Sequence, residues 1–171
     1  METQILTLDE MPDRLCASLD DLIALSFEGL RLGDLPPASK RAVLVQDDQI
    51  LAHAAVQARS FPIGDRSFQG YILGCVCTHP DARQKGIGTK VTLSLLAALD
   101  ICSGPFVVLN CGESVTAFYA KIGFMLIAQN AAYIRDGRLE IDPDPVMAIG
   151  LSPDFDVWQL KCDPFHLGQD F

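Results

Sequence analysis

Apolar residues recur along this chain at two spacings, and the change from one to the other marks out its elements. Gln4 to Leu8 alternates as a strand does. Behind Met11-Pro12-Asp13, residues Leu15, Leu19, Leu22, Ile23 and Leu25 return at helical spacing, which predicts a helix with Pro12 in its first turn. Gly29 to Lys40 holds Gly33, Pro36 and Pro37 and reads as an irregular connection. Apolar runs at Ala42–Gln46 and Ile50–Val56 flank Asp47-Asp48 and predict an antiparallel hairpin; Phe61 to Ile63 and Phe68 flank a second turn at Gly64-Asp65-Arg66. A strand over Gly70–Thr78 then enters a glycine-containing turn, and a helix from about Gly86 to Cys102 follows, stopped by Gly104-Pro105. Strand Phe106–Asn110, a short helical run from Glu113, and strands at Met125–Ile134 and Val146–Leu151 complete the pattern. The last two are expected to pair around Arg135–Gly137 and Asp142–Pro145. Residues 152–171 show neither period and are expected to form an irregular tail on a single domain spanning residues 1–171.

The turn between strand and helix, Thr78-His-Pro-Asp-Ala-Arg83-Gln-Lys-Gly86-Ile-Gly88-Thr-Lys, carries the clearest chemistry. A strand that ends in a turn whose glycines open a helix leaves main-chain N–H groups unpaired at the positive end of the helix dipole, which is a cradle for an anion. The same two glycines also suit an ordinary turn or a close helix–sheet contact. A dinucleotide fingerprint would require a third glycine where Val91 stands.

Composition narrows the class. Of 171 residues, 49% are hydrophobic, enough for one domain with a sizeable core. No apolar run reaches the length of a membrane span, and the N-terminus lacks a signal-peptide pattern, so a soluble cytoplasmic protein with no membrane partner is expected. The formal net charge of −9, with no basic stripe, argues against nucleic acid and is compatible with a cationic small molecule. The six cysteines form no Cys-x-x-Cys pair and have no neighbouring His cluster, so neither a metal site nor a redox dithiol is expected. Cys75 and Cys77 fall on one face of their strand as small buried residues, and all six thiols are expected to be reduced.

A second segment, Phe118-Tyr119-Ala120-Lys121-Ile122-Gly123-Phe124, lies about thirty residues beyond the glycine turn. Together Arg83-x-x-Gly86-x-Gly88 and Tyr119-x-Lys121-x-Gly123-Phe124 resemble the Gcn5-related N-acetyltransferase (GNAT) superfamily over roughly residues 40–125. The blocks Leu51–Val56, Gly70–Ile72, Val146–Ile149 and Cys162-Asp163 look like the aminoglycoside 2′-N-acetyltransferases, and more distantly the nodulation N-acyltransferases. The resemblance implies an α/β (α+β) fold, with a mixed, strongly twisted central sheet of six to seven strands flanked by helices. It implies an acetyl-CoA-dependent N-acetyltransferase acting on a primary amine of a small, aminoglycoside-like acceptor by direct transfer in a ternary complex. A homodimer is compatible with it.

The family's pattern places CoA along Val76, Cys77 and Thr78, whose main chain would meet the pantetheine arm, and along Arg83, Gln84, Lys85, Gly86, Ile87, Gly88 and Thr89, whose N–H groups would hold the pyrophosphate. A backbone N–H near Val76 would polarise the thioester oxygen. Tyr119 stands where the superfamily's tyrosine protonates the departing thiolate. The aminoglycoside enzymes carry a glutamate base on the strand entering the turn; here that position is Gly74. His53 and His79 are the remaining candidates for proton abstraction, His53 also reading as structural. Counterparts of the acids that hold substrate ammonium groups are Asp142, Asp144, Asp170 and the terminal Phe171, although Asp142 and Asp144 alternate with prolines and also suit a plain turn. Two further readings stay open: an N-acyltransferase using a longer donor, and a non-catalytic acyl-CoA-binding or regulatory module.

Overall fold

The computed structural model describes residues 2–6 and 10–169. Strands are β1 (Glu2–Leu6), β2 (Lys40–Gln46), β3 (Gln49–Ile63), β4 (Arg66–Thr78), β5 (Phe106–Asn110), β6 (Met125–Ala128), β7 (Ala131–Arg135), β8 (Arg138–Asp142), β9 (Val146–Gly150) and β10 (Phe165–Gln169). Helices are α1 (Asp13–Ser26), α2 (Ile87–Ala97) and α3 (Thr116–Ile122). Seven strands make a mixed sheet in the order β1-β2-β3-β4-β5-β9-β6, and β10-β7-β8 make a second. The described chain divides into two compact units: one runs to Gln57 and includes Leu73–Leu99, the other comprises Ala58–Ile72 and the chain from Asp100.

In the first unit, β1 and β2 pair antiparallel, as do β2 and β3, with Val43 opposite His53. The β2–β3 turn works because Asp47 and Asp48 both take positive φ, 51° and 61°, and aspartate is among the few residues that tolerate it. Residues 41–44 are buried without alternation, so both faces of β2 are covered. Val43, Val45, Ile50 and Cys77 pack against Leu15, Leu19, Leu22 and Ile23 of α1, while α2 packs on β2 and β1. Pro12 is the N-cap of α1 rather than a first-turn residue, and Leu25 lies off the buried stripe at 55% exposure. The Thr7 and Leu8 end of the expected first strand lies outside the described residues.

In the second unit, β4 and β5 form a parallel ladder with Tyr71 opposite Val107, β5 and β9 pair antiparallel, and β9 pairs with β6. Phe61, Phe106 and Phe165 are fully buried and mutually close, with ring centroids 5.5 Å apart for Phe61–Phe106 and 5.8 Å for Phe61–Phe165.

Three expectations change. The helix after the glycine turn stops at Ala97, not Cys102. Asp100 accepts from Cys102 N through its carboxylate (3.0 Å) and from Ser103 and Gly104 N through its carbonyl, building a separate turn. The strand expected over Met125–Ile134 is two, because Asn130 donates to Asp163 from both its main chain (3.1 Å) and its side chain (3.2 Å), which breaks the run. The C-terminal segment is ordered rather than irregular. It contains a short 3-10 turn at Val157–Leu160 and strand β10, which pairs parallel with β7, and buried Phe165 anchors it. A single strand without an adjacent hairpin partner leaves no local periodicity strong enough to read.

Gly70 shows how tightly the second core closes: a Cβ built there would lie 2.5 Å from Phe106 Cζ, and that ring is already stacked on Phe155 at 5.1 Å. Gly70→Ala is expected to destabilise the fold by about 1–3 kcal/mol, the usual penalty for overpacking a closed core. A chemical-denaturation midpoint lowered accordingly supports this packing, and an unchanged midpoint contradicts it.

Candidate functional site

In the first unit, β4 delivers the chain into the turn in a fixed frame. His79 N donates to Leu51 O on β3 (2.8 Å), Pro80–Ala82 makes one 3-10 turn, and Arg83 N closes it onto Pro80 O (3.2 Å). The Arg83 side chain folds back, Nε donating to Thr78 O (3.1 Å), and Lys85 Nζ donates to Asp81 O (2.7 Å). Two of the turn's cations therefore fasten the loop itself rather than only adding charge.

Beyond Arg83 the ledger of donors changes. Among the described residues, the next turn N–H with a main-chain acceptor is that of Lys90, which reaches Gly86 O (2.9 Å); those of Gln84, Lys85, Gly86, Ile87, Gly88 and Thr89 have none. Gln84 (φ 61°) and Gly86 (φ 71°) take left-handed conformations that bend the chain into the N-terminus of α2, and a Cβ added at Gly86 would meet nothing within 4 Å. Inside α2, Thr92 Oγ1 donates to Gly88 O (2.9 Å), which fixes the first turn from the buried side. The result is a row of N–H groups without main-chain acceptors at the positive end of an eleven-residue helix, with open space at Gly86.

The other candidates of this unit sit around that frame. Cys77 is buried, while Val76 and Thr78 are half-buried. Gly74 has open space where a side chain would stand. His79 is half-buried; its Nδ1 accepts from Asp81 N (3.4 Å), and its ring lines a cleft of about 370 Å³ with Asp21, Asp47, Asp48 and Arg14. Arg14 and Asp48 pair across that cleft at 3.0 Å. His53 is fully buried, with Nδ1 2.8 Å from Cys75 O and Nε2 3.2 Å from Arg41 Nη1. A guanidinium can only donate, so Nε2 accepts and Nδ1 carries the proton given to Cys75 O.

In the second unit, Tyr119 is buried on α3, with its ring edge-on to Phe118 (4.9 Å) and Phe124 (5.7 Å). Gly123 ends α3 at φ 113°, which accounts for the glycine of that segment. Asp142 Oδ1 accepts from Asp144 N (2.9 Å), and Asp144 O accepts from Asn110 Nδ2 (3.0 Å), so both acids shape the link from β8 to β9. Burial, reinforced by Asp144, raises the Cys111 thiol to about 11. Asp170 and Phe171 lie outside the described residues.

Sequence reasoning missed one group. Cys75 adopts φ 51° on β4, and the Arg41 guanidinium, His53 imidazole and Cys77 thiol gather around its sulfur. The register that pairs Val43 with His53 and Arg41 with Ala55 makes Arg41 and His53 diagonal neighbours, which the unalternating apolar run of β2 did not signal.

No family model matches this chain, and no curated protein does. Solved structures do. Escherichia coli ElaA is 20% identical over 86% of this chain and 97% of its own, with a TM-score of 0.63. The GNAT family N-acetyltransferase YhbS of Escherichia coli, solved in complex with CoA, is 17% identical over 99% of this chain and 91% of its own, with a TM-score of 0.65. The aminoglycoside 6′-N-acetyltransferase of Enterococcus faecium is 16% identical over 90% of this chain and 99% of its own, with a TM-score of 0.65. These likenesses do not single out one member, the 2′ enzymes included, as the nearest relative. The mixed seven-stranded sheet with its flanking helices, in these proteins and in this chain, is the GNAT fold.

Proposed function

We propose that this chain is an N-acetyltransferase that binds acetyl-CoA and passes the acetyl group directly to a primary amine of a small, cationic, aminoglycoside-like acceptor. One observation carries the reading: six successive N–H groups, Gln84 to Thr89, lack main-chain acceptors at the N-terminus of α2. A diphosphate supplies acceptors in the number and sign that such a row requires, and Gly86 leaves room for its close approach. Arg83 and Lys85 would keep the loop in shape, and the main chain of Val76, Cys77 and Thr78 would take the pantetheine arm. The thioester is the activated acyl group that the cofactor brings.

In this reading Tyr119 donates the proton that the departing thiolate takes up; a phenol remains protonated at neutral pH and can give it. Of the two histidines, the geometry favours His79 for accepting the amine's proton, because it borders a cleft, whereas His53 is enclosed with both ring nitrogens engaged. Asp142, Asp144 and Asp170 are the acids proposed to hold the acceptor's ammonium groups. The acidic balance of the chain favours a cationic acceptor. A non-catalytic acyl-CoA-binding module is the second reading, and the empty space at Gly74, where the aminoglycoside enzymes carry their base, favours it.

Thiol release from acetyl-CoA with a panel of amines separates the two readings: turnover on at least one amine supports the enzyme, and tight CoA binding with no turnover supports the module. Tyr119→Phe is expected to lower kcat by about 10²- to 10⁴-fold, the range of general acid catalysis, with CoA affinity within twofold of wild type. An unchanged kcat removes Tyr119 from the chemistry. Gly86→Val places a β-branched residue at φ 71° in the cradle and is expected to weaken CoA binding at least tenfold by calorimetry. Undiminished affinity, with the fold intact by circular dichroism, puts the cofactor elsewhere.

A further inference from the structure

Arg41 is 2% exposed, and among the described residues no carboxylate lies within ion-pair distance of it and its Nε has no hydrogen-bond partner. A buried guanidinium cannot shed its proton, so it requires an anion nearby. The acidic groups that act on it are thiols, Cys75 on β4 first and Cys16 on α1 second. Cys75, His53 and Cys77 bring their donor atoms within 4.8 Å of one another. The Cys77 thiol beside it lowers Cys75 most and Arg41 adds to it, bringing it to about 5, while the neighbouring Cys75 and burial hold Cys77 firmly protonated. The buried guanidinium favours the anionic form of the Cys75 sulfur, and Cys75 is half-buried rather than sealed.

We propose that Arg41, His53, Cys75 and Cys77 form a thiol–disulfide exchange site whose substrates are small disulfides of the glutathione type. Cys75 Sγ attacks one sulfur of the disulfide; the new S–S bond forms, the old one breaks, and the first small thiolate leaves and takes a proton from water. Cys77 then gives up its proton to solvent and attacks Cys75 Sγ, forming the Cys75–Cys77 bond and releasing the second small thiol. The protein dithiol loses two electrons and the small disulfide gains them. Closure removes the anion beside Arg41 and leaves its charge buried and uncompensated, so the reduced form is the favoured one and the protein disulfide is readily reduced. A divalent cation fits the same three donors less well, because the guanidinium already lies against His53. The proposal does not rest on the acyl-transfer reading, which uses only the main chain of Cys77.

The test is reaction of the full reduced chain with oxidised glutathione between pH 6 and 8, followed by peptide mass mapping. The groups around Cys75 are Cys77, His53 and Arg41, and Cys16 of α1 acts on Arg41 in turn. With an ordinary thiol of pKa about 8.5 the rate falls about 100-fold from pH 8 to pH 6; at Cys75 it is expected to change less than about threefold and, at pH 6, to exceed the ordinary thiol about tenfold after allowance for the weaker nucleophile. With oxidised glutathione in large excess, which drives closure against the favoured reduced form, wild type is expected to end as the Cys75–Cys77 disulfide with two thiols released per chain, Cys77→Ser to stop at a glutathione adduct on Cys75, and Cys75→Ser to lose both products. Arg41→Met is expected to restore the steep pH dependence; the wild-type profile decides on its own should that variant not fold. A steep wild-type profile, modification that spares Cys75, or retention of one Zn²⁺ per chain with both thiols blocked overturns the proposal.

Discussion

Every main-chain N–H in a folded protein pairs with an acceptor or with water, and at the start of α2 the chain's own backbone supplies no acceptor to six in succession. The first turn of any helix leaves its donors unpaired, and side-chain caps ordinarily absorb some of that deficit. Here the N-cap is Gly86, which has no side chain to offer, and Gln84 and Gly86 bend the chain into the helix in left-handed conformations that leave the preceding N–H groups without main-chain acceptors as well. The loop's own side chains are occupied in fastening it, Arg83 to Thr78 and Lys85 to Asp81. What remains is a rigid, positive and uncapped row of donors, and the rest of the first unit holds it in place.

Strand β4 links that row to the second unusual feature of the unit. Its last residues carry Cys75 and Cys77 on the face packed against α1, then run through Thr78 into the cradle. The left-handed conformation at Cys75 is one that a side-chain-bearing residue seldom takes, and strain of this kind persists only where surrounding contacts determine it. Arg41 from β2 and His53 from β3 supply those contacts. A buried cation with no carboxylate beside it among the described residues is costly, and the acidic groups that act on it are thiols.

The turn and the elements before it were legible because local signals agreed. The Asp47-Asp48 hairpin, the α1 stripe and the strand–turn–helix around Gly86 each depend on residues close in sequence, and the two glycine-containing segments carried the resemblance to a fold that the solved structures share. What was missed depends on distant partners. Asn130 breaks a strand only because Asp163 lies beside it, β10 is a strand only because β7 accepts it, and α2 stops early because Asp100 prefers its own turn. His53 likewise gave no sign that it would meet Arg41 and two cysteines, since composition treats a buried cysteine as a small apolar residue. Tyr119 is assigned by its motif alone, while the Asp142–Asp144 stretch was equally legible as a turn, which the Asp142 carboxylate and the main chain of Asp144 form.

The account's central claim is that the N–H groups from Gln84 to Thr89 bind the diphosphate of CoA. A titration of the isotopically labelled chain with CoA, followed residue by residue through its amide resonances, tests it most directly. The account predicts saturable downfield shifts concentrated on those six amides, as expected of N–H groups that gain an anionic acceptor. Saturation of binding with those six resonances unmoved, or no binding at all, contradicts it.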